Sequence, residues 1–138
     1  LIQGAVLSQC KMKRYRHSDL EHLRQLLEKN QAGAQARTLI VTESVFSMDR
    51  HSSDIDALIR LADEFQALLV VDEAHATGLF GLCGSGVIEE LGLIDNVEYM
   101  VGKFGKALGS AGAYMACDTK IKDPLSKEKT SLPFFIPS

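Results

Sequence analysis

The spacing of apolar residues predicts helices and strands that alternate along most of the chain. A stripe of leucines follows a Ser-Asp-Leu-Glu capping box (18–21) and fades by Asn30, which predicts a first helix. A second stripe predicts a helix over residues 54–65, and a short third helix is predicted over 87–91. Apolar runs predict strands over residues 37–41, 68–71, 99–101 and 111–117.

This alternation is typical of an α/β fold: a three-layer arrangement with a mostly parallel sheet and helices on both faces. In such sheets, ligands bind beyond the carboxyl ends of the strands. Candidate polar side chains follow three of the predicted strands, namely Ser47, Asp72 with His75, and Lys103 with Lys106. We therefore expect a hydroxyl, a carboxylate, an imidazole and two amines to gather at one edge of the sheet.

The composition limits the classes of protein to consider. Of 138 residues, 46% are apolar and 24% are charged, and the net charge is −3. Such a chain is too apolar for a disordered protein, has no membrane-spanning run and is a poor candidate for nucleic-acid binding. The basic run over residues 11–17 is interpreted as a solvated face. Three cysteines without a Cys-x-x-Cys pair predict reduced thiols in a cytoplasmic protein, with no disulfide framework and no metal site.

The two ends of the sequence look like cut ends. The chain begins on apolar residues without a Met, and it stops at an apolar stretch (133–138) with nothing after it to pack against. Domains usually end in exposed polar segments. We therefore expect residues 1–138 to be an internal piece of a longer protein.

The tetrapeptide Asp-Glu-Ala-His (72–75) has three interpretations. In a DEAH-type helicase, a strand-terminal Asp-Glu handles magnesium and water, but the phosphate loop that this chemistry needs does not occur in the sequence. Alternatively, Asp72 is the partner of a protonated ring nitrogen and His75 lies beside the same ring. The plain alternative is a strand-end Asp that caps the following turn.

The segment Phe-Gly-Lys-Ala-Leu-Gly (104–109) is the second candidate. A lysine between glycines in an apolar setting is unusual, because a buried ammonium is costly unless it is paired. A desolvated lysine amine is a good nucleophile toward an aldehyde, so Lys106 is suited to Schiff-base formation. A solvated lysine in a surface turn is the equally plain alternative, and Lys103 is expected to contact an anion or solvent.

The segment Glu-Ser-Val-Phe-Ser-Met-Asp (43–49) is weaker evidence by itself. Its hydroxyls, including that of Ser47, could cap a turn or donate to a ligand. The glycines of residues 81–86 do not have the order of a dinucleotide fingerprint, and they do not follow a strand. They therefore give no indication of NAD binding.

Taken together, four motifs in this order resemble the α-oxoamine synthases, which are pyridoxal 5'-phosphate (PLP) enzymes of fold type I. The motifs are E-S-V-F-S-M-D (43–49), V-D-E-A-H-A-T-G (71–78), G-x-x-G-x-G (81–86) and F-G-K-A-L-G-S-A-G-A-Y (104–114). The segment R-Y-R-H-S-D-L-E-H-L (14–23) is similar to the same family, so the resemblance extends to about Asp118. It implies that residues 1–138 are part of the large PLP-binding domain, with an N-terminal part and a C-terminal small domain outside them.

The resemblance also implies roles for individual residues. Lys106 corresponds to the Schiff-base lysine, and Asp72 to the partner of the pyridine nitrogen. His75 corresponds to a residue close to the phenolic oxygen of the cofactor, and Ser47 and Lys103 to polar contacts of the cofactor. The implied reaction joins a small-molecule amino acid to an acyl-CoA or acyl-carrier thioester with loss of carbon dioxide, in a homodimer whose subunits share the site.

The sequence after the lysine distinguishes members of the family. G-S-A-G-A-Y (109–114) is closer to the 8-amino-7-oxononanoate synthases of biotin synthesis, which join a pimeloyl thioester to L-alanine. Glycine C-acetyltransferases and 5-aminolevulinate synthases are the alternatives within the family.

Some positions depart from the family pattern. Lys103 stands where the family usually has Thr or Ser in contact with the cofactor phosphate, and Arg50 stands where a glycine usually follows Ser-Met-Asp. These departures favour a further alternative, a truncated homologue without catalytic activity. We expect residues 1–138 alone to be inactive and marginally stable, with exposed sheet edges.

Overall fold

A computed structural model describes residues 6, 11–31, 38–46, 53–117 and 134–137. Within these residues, six strands form one sheet in the order β1-β6-β2-β3-β4-β5. All neighbours in the sheet are parallel except β4 and β5, which are antiparallel. The strands are β1 (Met12–Tyr15), β2 (Leu39–Glu43), β3 (Leu68–Asp72), β4 (Tyr99–Lys103), β5 (Ala113–Cys117) and β6 (Phe134–Pro137).

The helices are α1 (Leu20–Gln31), α2 (Ile55–Glu64) and α3 (Val87–Glu90), followed by a 3-10 turn (Ile94–Asn96). All three predicted helices are thus confirmed to within a few residues. The capping box, however, predicts Ser18 as the N-cap of α1, and this position is wrong by one residue. The Oδ1 of Asp19 accepts the backbone N–H of His22 at 2.8 Å, and Ser18 has a positive φ of 54°. Asp19 is therefore the N-cap, because an N-cap residue needs an extended backbone that Ser18 does not have.

The parallel pairing of β2 with β3 runs from Leu39 opposite Leu68 to Glu43 opposite Asp72. Because side chains alternate between the two faces of a sheet, each strand contributes to both faces. The larger core combines Ile40, Leu69 and Val71 with the buried faces of α1 and α2. On the opposite face, Leu39, Val41 and Ile136 form a smaller cluster with Met12, Leu68 and Val70, and every member of this cluster belongs to a strand.

The α/β class and the mostly parallel sheet are confirmed. The predicted strand over residues 68–71 extends by one residue and that over 99–101 by two, so that β3 ends on Asp72 and β4 ends on Lys103. No helix in the described ranges is long and apolar enough to cross a membrane.

β1 and β6 are strands that the apolar pattern does not predict. The basic run over residues 11–17 forms the edge strand β1, where Arg14 is exposed but Tyr15 is only 3% exposed, so its interpretation as a solvated face holds for one side only. Part of the apolar stretch over 133–138 forms the strand β6. β6 lies between β1 and β2, and Ile136 is 2% exposed.

Candidate active site

The carboxyl ends of β3 and β4 bring two of the predicted side chains into contact. Asp72 pairs with Val101 across the two strands, and Lys103 lies two residues further along β4, on the same face. The Nζ of Lys103 donates to the Oδ2 of Asp72 at 3.1 Å. The carboxylate is 3% exposed and the lysine side chain is 46% exposed. Asp72 is thus a buried anion whose partner reaches it from solvent.

A second contact links the same two segments three residues further along. The Nζ of Lys106 lies 3.0 Å from the Nδ1 of His75, and it also contacts the Nε2 of that ring. Lys106 is exposed, and His75 is partly buried. An amine, an imidazole and a carboxylate therefore lie together at one edge of the sheet, where a ligand from solvent reaches the amine first.

The turn after β3 holds Asp72 in place. Its Oδ1 accepts the backbone N–H of Ala74 at 2.9 Å, so both carboxylate oxygens have a partner. The sheet ladder also continues past the strand ends: the N–H of Glu73 donates to the carbonyl of Val101 at 2.7 Å. The orientation of the carboxylate is therefore set by a backbone N–H on one side and by an exposed lysine side chain on the other.

In the helicase interpretation, Glu73 is a functional residue. In the structure, its buried carboxylate is a hydrogen-bond acceptor. Its carboxylate is 2% exposed and accepts the Oγ of Ser44 at 2.6 Å. It also accepts the N–H groups of Val87 at 3.2 Å and Ile88 at 2.8 Å, at the start of α3. Glu73 therefore joins the ends of β2 and β3 to the loop before α3. Gly86 is part of the same arrangement, because a Cβ at this position would lie 2.5 Å from the carboxylate.

The loop after His75 packs directly on the lysine segment. Gly78 has a φ of +84°, and a Cβ at this position would lie 2.6 Å from the Cβ of Ala107. The hydroxyl of Thr77 lies 3.4 Å from the hydroxyl of Tyr114, whose ring covers Gly102. Close approach at glycine thus holds the two predicted motifs, 71–78 and 104–114, against each other.

The third predicted motif is described only in part. Ser47 lies outside the described residues, as does Arg50. Phe46, the last described residue before them, forms an edge-on ring contact with His17, with a centroid distance of 4.2 Å. This pair follows β1 and β2, so it lies at the same sheet edge as the two lysines. The sequence analysis did not identify it, because β1 was not predicted.

Two clefts are lined by described residues. One, of about 750 Å³, is lined by residues that include Asp63, Asp95 and Glu98, and the other, of about 410 Å³, lies between α2 and α3. Neither cleft is lined by Asp72, His75 or Lys106. The candidate site is therefore identified by its side chains and not by either of these clefts.

The side chains at this edge fit PLP. An exposed amine can condense with an aldehyde, and a buried carboxylate can accept a hydrogen bond from a protonated ring nitrogen. The one feature that does not match is Lys103, since its ammonium already neutralises the carboxylate that the ring nitrogen would need.

Comparison with known proteins identifies the family. The family model of aminotransferase class I and II matches residues 1–138. The chain belongs to this family. Among its relatives is a protein of Haemophilus influenzae assigned as an 8-amino-7-oxononanoate synthase, which is 49% identical over 135 residues. That match covers 97% of this chain and 35% of the relative, so the chain spans about a third of the length of the curated relatives it matches.

Solved structures of the family have the same fold as the chain. The 8-amino-7-oxononanoate synthase of Francisella tularensis is 31% identical with a TM-score of 0.70, covering 90% of this chain and 34% of that one. A serine palmitoyltransferase variant from S. paucimobilis, solved with a bound PLP–myriocin aldimine, is 29% identical with a TM-score of 0.72, covering 81% and 28%. The resemblance to the α-oxoamine synthases is thus confirmed, and the helicase interpretation is no longer needed.

Proposed function

We propose that this chain is part of a PLP-dependent acyltransferase of the α-oxoamine synthase type. The observation that carries the proposal is the double contact at the sheet edge, in which Asp72 meets Lys103 and His75 meets Lys106. It brings the two motifs that resemble the family into one site. The similarity to 8-amino-7-oxononanoate synthases supports the same reaction class.

In this proposal, PLP supplies an aldehyde that captures amines and a ring that withdraws electrons from the carbon beside the captured nitrogen. The Nζ of Lys106 would hold the aldehyde of the cofactor and, as a free amine, would carry protons at the reacting carbon. The carboxylate of Asp72 would accept a hydrogen bond from the protonated ring nitrogen and so keep that nitrogen protonated. His75 orients the amine of Lys106 and lies beside the ring, and Ser47 contributes a hydroxyl to the cofactor.

Trapping of the cofactor tests this assignment. The protein is incubated with PLP, reduced with borohydride, digested and mapped by mass spectrometry. We expect the pyridoxyl group on Lys106 in the unchanged protein and no label on this peptide in Lys106→Ala. Lys29→Ala, an exposed lysine on α1, is the matched control and should leave the label unchanged. Label spread over surface lysines, with none on Lys106, would contradict the assignment.

The substrates we propose are L-alanine and a pimeloyl thioester. The support is the segment G-S-A-G-A-Y (109–114) together with the 49% identity to the H. influenzae relative. The test, made on the full-length protein that contains this chain, measures release of free CoA from pimeloyl-CoA with L-alanine, and separately from acetyl-CoA or succinyl-CoA with glycine. Turnover with glycine and its acyl-CoA, but not with L-alanine and pimeloyl-CoA, would indicate the glycine C-acetyltransferase or 5-aminolevulinate synthase alternative. Label on Lys106 without any turnover would indicate the homologue that has lost activity.

We further propose that the protein acts as a homodimer in the cytoplasm. Exposed leucines support the dimer: Leu79 is 72% exposed and Leu108 is 55% exposed, and each follows one residue of the close contact between Gly78 and Ala107. A second subunit would cover this apolar surface beside Lys106. Sedimentation of the unchanged protein and of Leu79→Lys tests the proposal, since only the unchanged protein should sediment as a dimer.

A further inference from the structure

Asp72 and Lys103 form a pair that any ligand of the carboxylate must disturb. The Oδ1 of Asp72 is held by the backbone of Ala74, whereas the partner of the Oδ2 is a side chain, the Nζ of Lys103 at 3.1 Å. The carboxylate is 3% exposed, and the lysine side chain that covers it is 46% exposed. A protonated ring nitrogen that approaches Asp72 therefore meets a positive charge that is already in place.

We infer that Lys103 competes with the ring nitrogen of PLP for the carboxylate of Asp72 and so weakens the contribution of that nitrogen to binding. The inference rests on the proposed function. Lys103 acts through Asp72 and is therefore a positioning residue. Two positive charges at one buried carboxylate repel each other, while the desolvated anion favours whichever cation approaches it more closely.

The other role for Lys103 is a direct contact with the cofactor phosphate. This role requires the ammonium to leave Asp72, which would leave a buried carboxylate without its charged partner until the ring nitrogen arrives. The two roles predict different results. A phosphate contact affects every phosphate-bearing analogue alike, whereas competition at Asp72 affects only those that have a ring nitrogen.

The test uses the full-length protein that contains this chain and compares two cofactors by equilibrium dialysis: PLP, and the analogue in which a C–H group replaces the ring nitrogen. The measured quantity is the Kd of the analogue divided by the Kd of PLP. We expect Lys103→Thr and Lys103→Met to raise this ratio about tenfold, which corresponds to about 1.4 kcal/mol of recovered nitrogen binding. Lys103→Arg keeps a cation and should leave the ratio near that of the unchanged protein.

Two controls separate competition from structural damage. Lys29→Thr, on the exposed side of α1, should not change the ratio. In the Asp72→Asn background, the Lys103→Thr substitution should also leave the ratio unchanged, because the anion for which the two cations compete is gone. Lys103→Met retains the length of the lysine side chain, so it provides the same measurement if Lys103→Thr does not fold.

A ratio that stays the same in Lys103→Thr and Lys103→Met, while PLP still labels Lys106, overturns the competition and leaves the proposed function standing. An equal loss of affinity for both cofactors gives that same unchanged ratio, and it assigns Lys103 to the phosphate. Failure of every variant, and of the unchanged protein, to bind either cofactor overturns both proposals.

Discussion

Glu73 offers a direct test of how the site is held together. Its carboxylate is 2% exposed and accepts three donors, the hydroxyl of Ser44 and the N–H groups of Val87 and Ile88. Glu73→Gln keeps the size of the side chain but replaces one acceptor oxygen with an NH₂ group. Each of the two carboxylate oxygens accepts one backbone N–H of α3. The new NH₂ group therefore faces a donor, whichever oxygen it replaces.

The expected cost follows from these contacts. A hydrogen bond to a charged group contributes about 1.5–3 kcal/mol, and a buried donor left without a partner costs about 1–3 kcal/mol. Glu73→Gln loses the charge and one acceptor, so we expect its free energy of unfolding to fall by about 2–4 kcal/mol. Against a total of about 5–15 kcal/mol for ordinary domains, this loss is large.

Urea unfolding followed by circular dichroism measures the difference. Glu28→Gln is the matched control, since Glu28 is exposed on α1 and should change the stability by less than about 0.5 kcal/mol. Gly86→Ala should also destabilise, because its Cβ would lie 2.5 Å from the Glu73 carboxylate and its φ is +136°. A Glu73→Gln protein as stable as the Glu28→Gln control would refute the role of Glu73 as the acceptor that joins these elements.

Three further predictions test other parts of the fold. Burial raises the pKa of Tyr15 from 10 to about 12. The stability that its neutral phenol provides is therefore complete below pH 10 and is lost as the pH rises to 12. Between these two pH values, the free energy of unfolding of Tyr15→Phe should fall by about 2–3 kcal/mol less than that of the unchanged protein. Urea unfolding at each pH measures this difference. Asp54 is the N-cap of α2, and its carboxylate accepts the N–H of Ala57 at 3.0 Å. Asp54→Ala should lower the melting temperature, because it costs about 1 kcal/mol of stability. An unchanged melting temperature would show that this cap does not stabilise α2. Gly78→Ala should lower the free energy of unfolding by about 1–3 kcal/mol because of its positive φ and the close Ala107. Adding Ala107→Gly should recover only the steric part of this loss. Full recovery of the free energy of unfolding would show that the backbone is not strained.

Part of the site could be predicted from the sequence because its residues lie within short segments that end strands. Asp72 and Lys106 were identified in this way, since parallel strands place their carboxyl ends at one edge whatever the details of packing. The partners within the site were not predictable. That Lys103 would contact Asp72 and Lys106 would contact His75 depends on the register between β3 and β4, which the apolar pattern of either strand alone does not define.

The role of Glu73 was hidden for a similar reason. Its three donors lie 14 to 29 residues away in the sequence, on β2's end and on α3, so the contact exists only once these elements are packed. The strand β1 was missed because two of its four residues, Lys13 and Arg14, are basic, and such residues are typical of edge strands that must not pair with other chains.

By itself, the sequence determined the type and position of α1, α2 and strands β2 to β5, because helical and strand periodicities are local properties of the chain. It also determined which segments carry chemistry, since the motifs are contiguous. The tertiary structure alone decided the order of the strands, the insertion of β6 beside β2, and which charged group faces which. The physical reason is that pairing between distant segments depends on their mutual packing and register, and no local pattern encodes a contact whose two sides are separated by tens of residues.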